Sequence, residues 1–171
     1  MIHVFKRLKR AALIGATMIL TTVVTSTNAA ASNRVAKRFG LGLGLLGDPA
    51  PSVLGYQVSY NLSSFLRAIA GYGSISGTTT SGTVTLTTIG GGARFFVPGW
   101  NFSPVAGLSY AQVSLTGSGS LSGFGASGSH IYATAGFDWQ AANGFNLGFG
   151  ANISTKDSVG ALPYLNFGWY F

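Results

Sequence analysis

The chain has 171 residues, of which 47% are apolar, only 8% are charged and 26 are glycine. A soluble domain normally carries about three times as much charge. No cysteine is present, which excludes disulfide frameworks, thiolate zinc sites, cysteine nucleophiles and a lipidated N-terminal cysteine. The net charge of +7 would suggest a nucleic-acid partner if it were spread over the body. Lys6, Arg7, Lys9 and Arg10 are clustered before an apolar run, however, and from Ser32 onward six basic residues stand against Asp48, Asp138 and Asp157. No basic patch remains, and no nucleic acid is expected as a partner.

The first element reads as a secretory signal peptide over residues 1–31: a basic start, an apolar stretch from Ala11 to Val24, and a small-residue exit at Ala29-Ala30-Ala31 with cleavage before Ser32. An uncleaved membrane anchor is the alternative. Against it, the run falls short of the ~20 apolar residues that a span needs, and Gly15, Thr17, Thr21 and Thr22 interrupt it.

Residues 32–171 alternate with period two rather than with helical spacing. Successive strands are predicted at 37–47, 53–61, 64–75, 83–97, 101–115, 130–139, 145–154 and 161–171. Within the first, Gly42-Leu-Gly44-Leu-Leu-Gly47 matches the glycine pattern of dinucleotide-binding folds. It lacks the following helix and the acidic residue about 20 positions on that the pattern requires, so the glycines are read as making room inside a barrel. Five-residue turns at Gln140–Gly144 and Val97–Asn101 alternate with Gly/Ser/Thr-rich stretches at 75–82 and 116–128, which are read as long loops. Asp48 and Asp157 are placed in loops.

A soluble sandwich also alternates, so aromatic placement has to decide between the two. With each strand's apolar face fixed, Phe39, Tyr60, Phe95, Phe102, Trp139, Phe145, Trp169 and Phe171 all fall on outward faces at one end. That is the aromatic girdle of a membrane barrel at its periplasmic interface; a sandwich has no reason to ring one end with exposed rings. The opposite faces are small or polar, among them Gly40, Gln57, Ser59, Gly92, Ser109 and Gly148. The prediction is a closed, antiparallel, up-and-down barrel of eight strands with lipid as the outer solvent.

The alternating strands and the ending Leu165-Asn-Phe167-Gly-Trp169-Tyr-Phe171 resemble small outer-membrane barrels: the outer membrane protein X and Ail group, and the transmembrane half of outer membrane protein A. This resemblance implies residence in a Gram-negative outer membrane with its lipid as neighbour. It also implies that Leu165, Phe167, Trp169 and Phe171 form the signal read by the outer-membrane assembly machinery. The barrel is expected to be a monomer, and any extracellular ligand is left open.

Some barrels of this size modify lipid A with a serine nucleophile, which makes His130 the candidate base. The deacylase pattern wants His and Ser two apart on the outer surface; here Tyr132 takes the serine's place, both side chains point inward, Ser129 lies on the opposite face, and the chain has no Glu. No catalytic residue, cofactor or metal site is assigned. The sequons at Asn61, Asn101 and Asn152 carry no weight in an Asn/Ser-rich chain. Arg67, Arg94 and Asp138 all fall on inward faces near the periplasmic end, where charge is costly unless paired or wetted. They are read as a lumen ion-pair cluster that either gates a narrow conduit or simply fills the interior, and an eight-stranded interior is just wide enough for side chains to fill. The functional expectation is a non-catalytic structural or surface-interaction barrel, with a narrow solute channel and, further off, a lipid A-modifying enzyme as alternatives.

Overall fold

The computed structural model describes residues 33–45, 54–154 and 160–171. The signal segment, with Ala29, Ala31 and Ser32, lies outside the described residues, as do Gly47, Asp48 and Asp157. A short helix α1 (Asn33–Ala36) precedes eight strands: β1 (Phe39–Leu45), β2 (Leu54–Asn61), β3 (Leu66–Thr79), β4 (Gly82–Phe96), β5 (Phe102–Gly117), β6 (Gly125–Gln140), β7 (Phe145–Ser154) and β8 (Ala161–Tyr170). Each strand pairs antiparallel with the next, and β8 returns to β1, closing the barrel.

Closure requires a stagger. Following hydrogen-bonded partners from Phe39 through Tyr60, Ala68, Ala93, Leu108, Ala133 and Ile153 leads to Ala161 at the far end of β8. Gly40, next to Phe39, instead pairs directly with Tyr170 at the near end. The circuit therefore climbs about ten residues, the shear that tilts the strands of a closed barrel.

The alternation read from sequence sets the two surfaces. Tyr56, Val58, Tyr72, Ile89, Leu108, Tyr110, Ile131, Phe137 and Phe149 are all exposed on the outside, while Gln57, Ser59, Arg67, Arg94, Thr134, Asp138 and Asn152 are buried inside. This inverts a soluble protein, and only a lipid solvent makes it favourable. Among the described residues no helix is long and apolar enough to cross a membrane.

Both predicted long loops shrink. The stretch 75–82 is mostly strand, with only Thr80 and Ser81 between β3 and β4. The stretch 116–128 likewise narrows to 118–124, including a 3-10 turn at Gly119–Leu121. Strands β3 to β6 have 14 to 16 residues against 7 to 10 in the other four, so they rise as a four-stranded extension on one side of the mouth. The outward apolar row that marks a spanning strand ends there, because a strand beyond the lipid has no apolar solvent to face.

Candidate functional site

The strand ends nearest helix α1 bring a polar cluster together inside the barrel. Asp138 is its only anion among the described residues, with no exposed side-chain surface. Arg67 donates to it through Nη1 to Oδ2 at 2.8 Å and Nη2 to Oδ1 at 3.2 Å. Arg34 donates through Nη2 to Oδ1 at 2.9 Å, and the Asn146 side-chain amide reaches both oxygens at 3.1 Å. Every donor is buried, so these are charge-assisted bonds in a site of low dielectric.

Arg94, expected beside Arg67, is set directly opposite it by the strand register, and its guanidinium lies over the Tyr164 ring at 4.8 Å. Asp138 also pairs with Arg34, which parity could not point to: parity shows which strand residues point inward, but Arg34 sits on α1, outside any alternating segment.

Helix α1 is held in the mouth at this end of the barrel by its backbone as much as by its charge. Arg34 also donates to the carbonyls of Trp100, Asn101 and Asp138. Asn33 receives a bond on its carbonyl from the Gln140 side chain at 3.1 Å and donates from its own amide to the Gln140 carbonyl at 3.0 Å. Asn61 and Gln140 both donate to the Lys37 carbonyl, at 3.1 and 3.2 Å. The segment thus spans the mouth from the β4–β5 turn to the end of β2. Burial pushes the guanidinium pKa of Arg34 down and Asp138 opposes that shift; an arginine so placed stays charged.

Aromatic rings enclose the cations. Arg34 and Arg67 lie over the Phe96 ring at 4.3 and 4.7 Å, and Arg67 lies over Tyr170 at 4.6 Å. Tyr170 in turn shares a 2.5 Å hydroxyl contact with Ser59. Above this layer, bulky residues fill space left by glycine. A Cβ added at Gly136 would stand 2.7 Å from the Tyr164 hydroxyl, one at Gly148 would stand 2.6 Å from the Asn166 side chain, and one at Gly40 would stand 2.6 Å from the Tyr170 ring. A void among Gly42, Gln57, Ser59 and Asn166 measures about 10 Å³, room for about one water molecule.

The other sequence-selected residues are placed as follows. Phe39, Tyr60, Phe102, Trp139, Trp169 and Phe171 are exposed on the outer surface at the same end as the cluster, with Phe95 and Phe145 half-buried beside them. Phe145 bridges Trp139 and Trp169 with centroid separations of 6.0 and 6.3 Å. Leu165 and Phe167 continue the outward face of β8. His130 points inward near the opposite mouth, 5.9 Å from the Tyr132 ring, while Ser129 faces away from it. Gly42 and Gly44 are strand residues of β1. Asn61 and Asn152, the sequon asparagines, are buried. Among the described residues no group of three His, Asp or Glu side chains could hold a metal. Besides Arg34, the cluster takes in Asn61, Gln140, Asn146 and Tyr170, which the sequence does not single out by charge although their inward parity at the same strand ends is visible in it.

No protein-family model matches the chain, and no curated protein matches it in sequence. Solved structures do. The N-terminal β-barrel domain of OprF from Pseudomonas aeruginosa aligns over 78% of this chain and 96% of its own, with 16% identity and a TM-score of 0.53. Ail from Yersinia pestis, in a phospholipid bilayer nanodisc, aligns over 79% of this chain and 99% of its own, with 14% identity and a TM-score of 0.48. With the lipid-facing outer surface, the closed eight-strand order and the OprF alignment in hand, the chain has the fold of the small eight-stranded outer-membrane β-barrels.

Proposed function

We propose that this chain is a non-catalytic outer-membrane barrel that does not conduct solutes, and that its role is structural or one of surface interaction. One observation carries the reading: Arg34, Arg67, Asp138, Phe96 and Tyr170 pack across the lumen at its periplasmic end with no exposed side-chain surface on the charged members. A conduit would need this layer wet, and an ion network in water would leave its members accessible. Among the described residues His130 has Tyr132 rather than a serine as its inward neighbour on β6, which supports the non-catalytic reading. The barrel works as a monomer, and the assembly machinery reads the Leu165, Phe167, Trp169 and Phe171 face of its last strand.

The test is single-channel recording in planar bilayers. Wild-type barrel should show no unitary conductance. Arg67→Ser should raise conductance above zero, and Arg34→Ser combined with Arg67→Ser should raise it further, because each removes a side chain from the closing layer. A wild-type pore that is already open would overturn the closed-barrel reading. Lipid A from cells overproducing the protein should have an unchanged mass spectrum.

A further inference from the structure

The extension built by β3 to β6 reverses the alternation of the barrel below it. Lower on these strands the outward row Tyr72–Ile89–Gln112–Ser129 still carries large apolar groups, and Tyr72 and Ile89 are 49% and 57% exposed. Two residues further on, the outward row becomes Ser74–Thr87–Ser114–Ser127, and the next is Ser76–Thr85–Thr116–Gly125, with Thr78–Thr83 above. The inward side turns apolar over the same distance, through Ile75–Leu86–Leu115–Ala126. Outward hydroxyls pair across strands, Ser76 with Thr85 at 2.8 Å and Thr78 with Thr83 at 3.2 Å. Each hydroxyl offers one donor and two lone pairs, so every such pair keeps capacity for a further partner.

The extension also lacks charge. Between Ala68 and Phe137 the only Lys, Arg, Asp or Glu is Arg94, and it lies in the lumen. A sheet edge raised into bulk water is ordinarily protected by charged side chains, lysine above all. The outward hydroxyl face is continuous with the lipid-covered face, one pleat repeat of about 7 Å above it. A lipid whose acyl chains cover Tyr72 and Ile89 must therefore present its headgroup to Ser74, Thr87 and Ser114. An uncharged array of hydroxyls fits a headgroup that is itself a dense array of hydroxyls. It makes no ion pair with phosphates, and it offers hydrogen bonds to sugars.

We propose that the outward face of the β3–β6 extension is a docking surface for the saccharide headgroups of glycolipid in the surrounding leaflet. Ser74, Ser76, Thr83, Thr85, Thr87 and Ser114 act as neutral hydrogen-bonding partners. This rests on the membrane-barrel reading above. It adds that the extension is sheathed by sugar on its outer side and that its contacts do not depend on charge.

The experiment compares the purified barrel in three bilayers: phospholipid alone, phospholipid with lipid A lacking core sugars, and phospholipid with lipopolysaccharide carrying its full core oligosaccharide. Thermal unfolding is followed by gel mobility. The wild-type midpoint should rise from the second bilayer to the third and should keep that rise in molar NaCl, where ion pairs are screened. Thr83→Val combined with Thr85→Val and Thr87→Val keeps strand propensity and should lose at least about half of the rise, since three of the six hydroxyls named are gone. The matching triple Ser variant should retain most of it. Equal rises in the Val variant and wild type would overturn the proposal, as would a rise already complete with bare lipid A or one abolished by salt. Failure to insert into any of the three bilayers would overturn the membrane reading with it.

Discussion

Replacing Asp138 with Asn tests the lumen cluster most directly. The substitution keeps volume and one acceptor oxygen but removes the negative charge that faces Arg34 and Arg67 at 2.9 and 2.8 Å, the only one among the described residues. Breaking a buried pair by removing one partner costs about 3–5 kcal/mol, because the remaining charge stays desolvated. Two cations rather than one are left without an anion, which holds the loss at about 3 kcal/mol or more. Both lie over the Phe96 ring, and Arg67 also lies over Tyr170, but these contacts are made with or without the carboxylate and do not offset its loss. With a urea slope of about 1–3 kcal/mol per molar, the unfolding midpoint should fall by about 1–3 M. Arg34→Gln and Arg67→Gln each leave Asp138 one cation, so each should cost less than Asp138→Asn. Because the pairs are buried, the differences should persist in high salt. The assay is urea unfolding of barrels in lipid bilayers, followed by tryptophan fluorescence and by heat-modifiable gel mobility. An Asp138→Asn midpoint equal to that of wild type would refute the cluster as a source of stability.

Gly136→Ala should destabilise the barrel by about 1–3 kcal/mol, since its new Cβ would stand 2.7 Å from the Tyr164 hydroxyl and 2.8 Å from the Gly150 Cα. Gly77→Ala, with nothing within 4 Å of the added Cβ, should be nearly neutral, and equal urea midpoints for the two would refute tight lumen packing. Deleting Phe171, 64% exposed outside the barrel, should slow assembly in cells more than it lowers the stability of finished barrels. Pulse-chase gel mobility would show equal assembly rates if that idea is wrong. The mature chain should begin near Ser32 and fractionate with the outer membrane, and N-terminal sequencing that finds Met1 would refute the cleavage site.

Strand number and the outward and inward faces were legible in the sequence, because each follows from a local rule. In a strand, neighbouring side chains take opposite faces, so Phe137, Asp138 and Trp139 need only their own order to be assigned outward, inward and outward. The short turn at Val97–Asn101 was legible for the same reason: apolar alternation stops on one side of it and resumes on the other. The height of β3 to β6 was not, since Ser and Thr above the lipid carry no apolar signal, and only pairing with the neighbouring strand shows that Thr78 and Thr83 continue a ladder rather than a loop. Arg67 and Asp138 could be brought to one end by parity and counting. Arg34 could not, because four helical residues before the first strand have no periodicity to read. Its place on Asp138 exists only once β1 and β8 have closed the barrel, with Trp100, Asn101 and Gln140 gathered around the mouth.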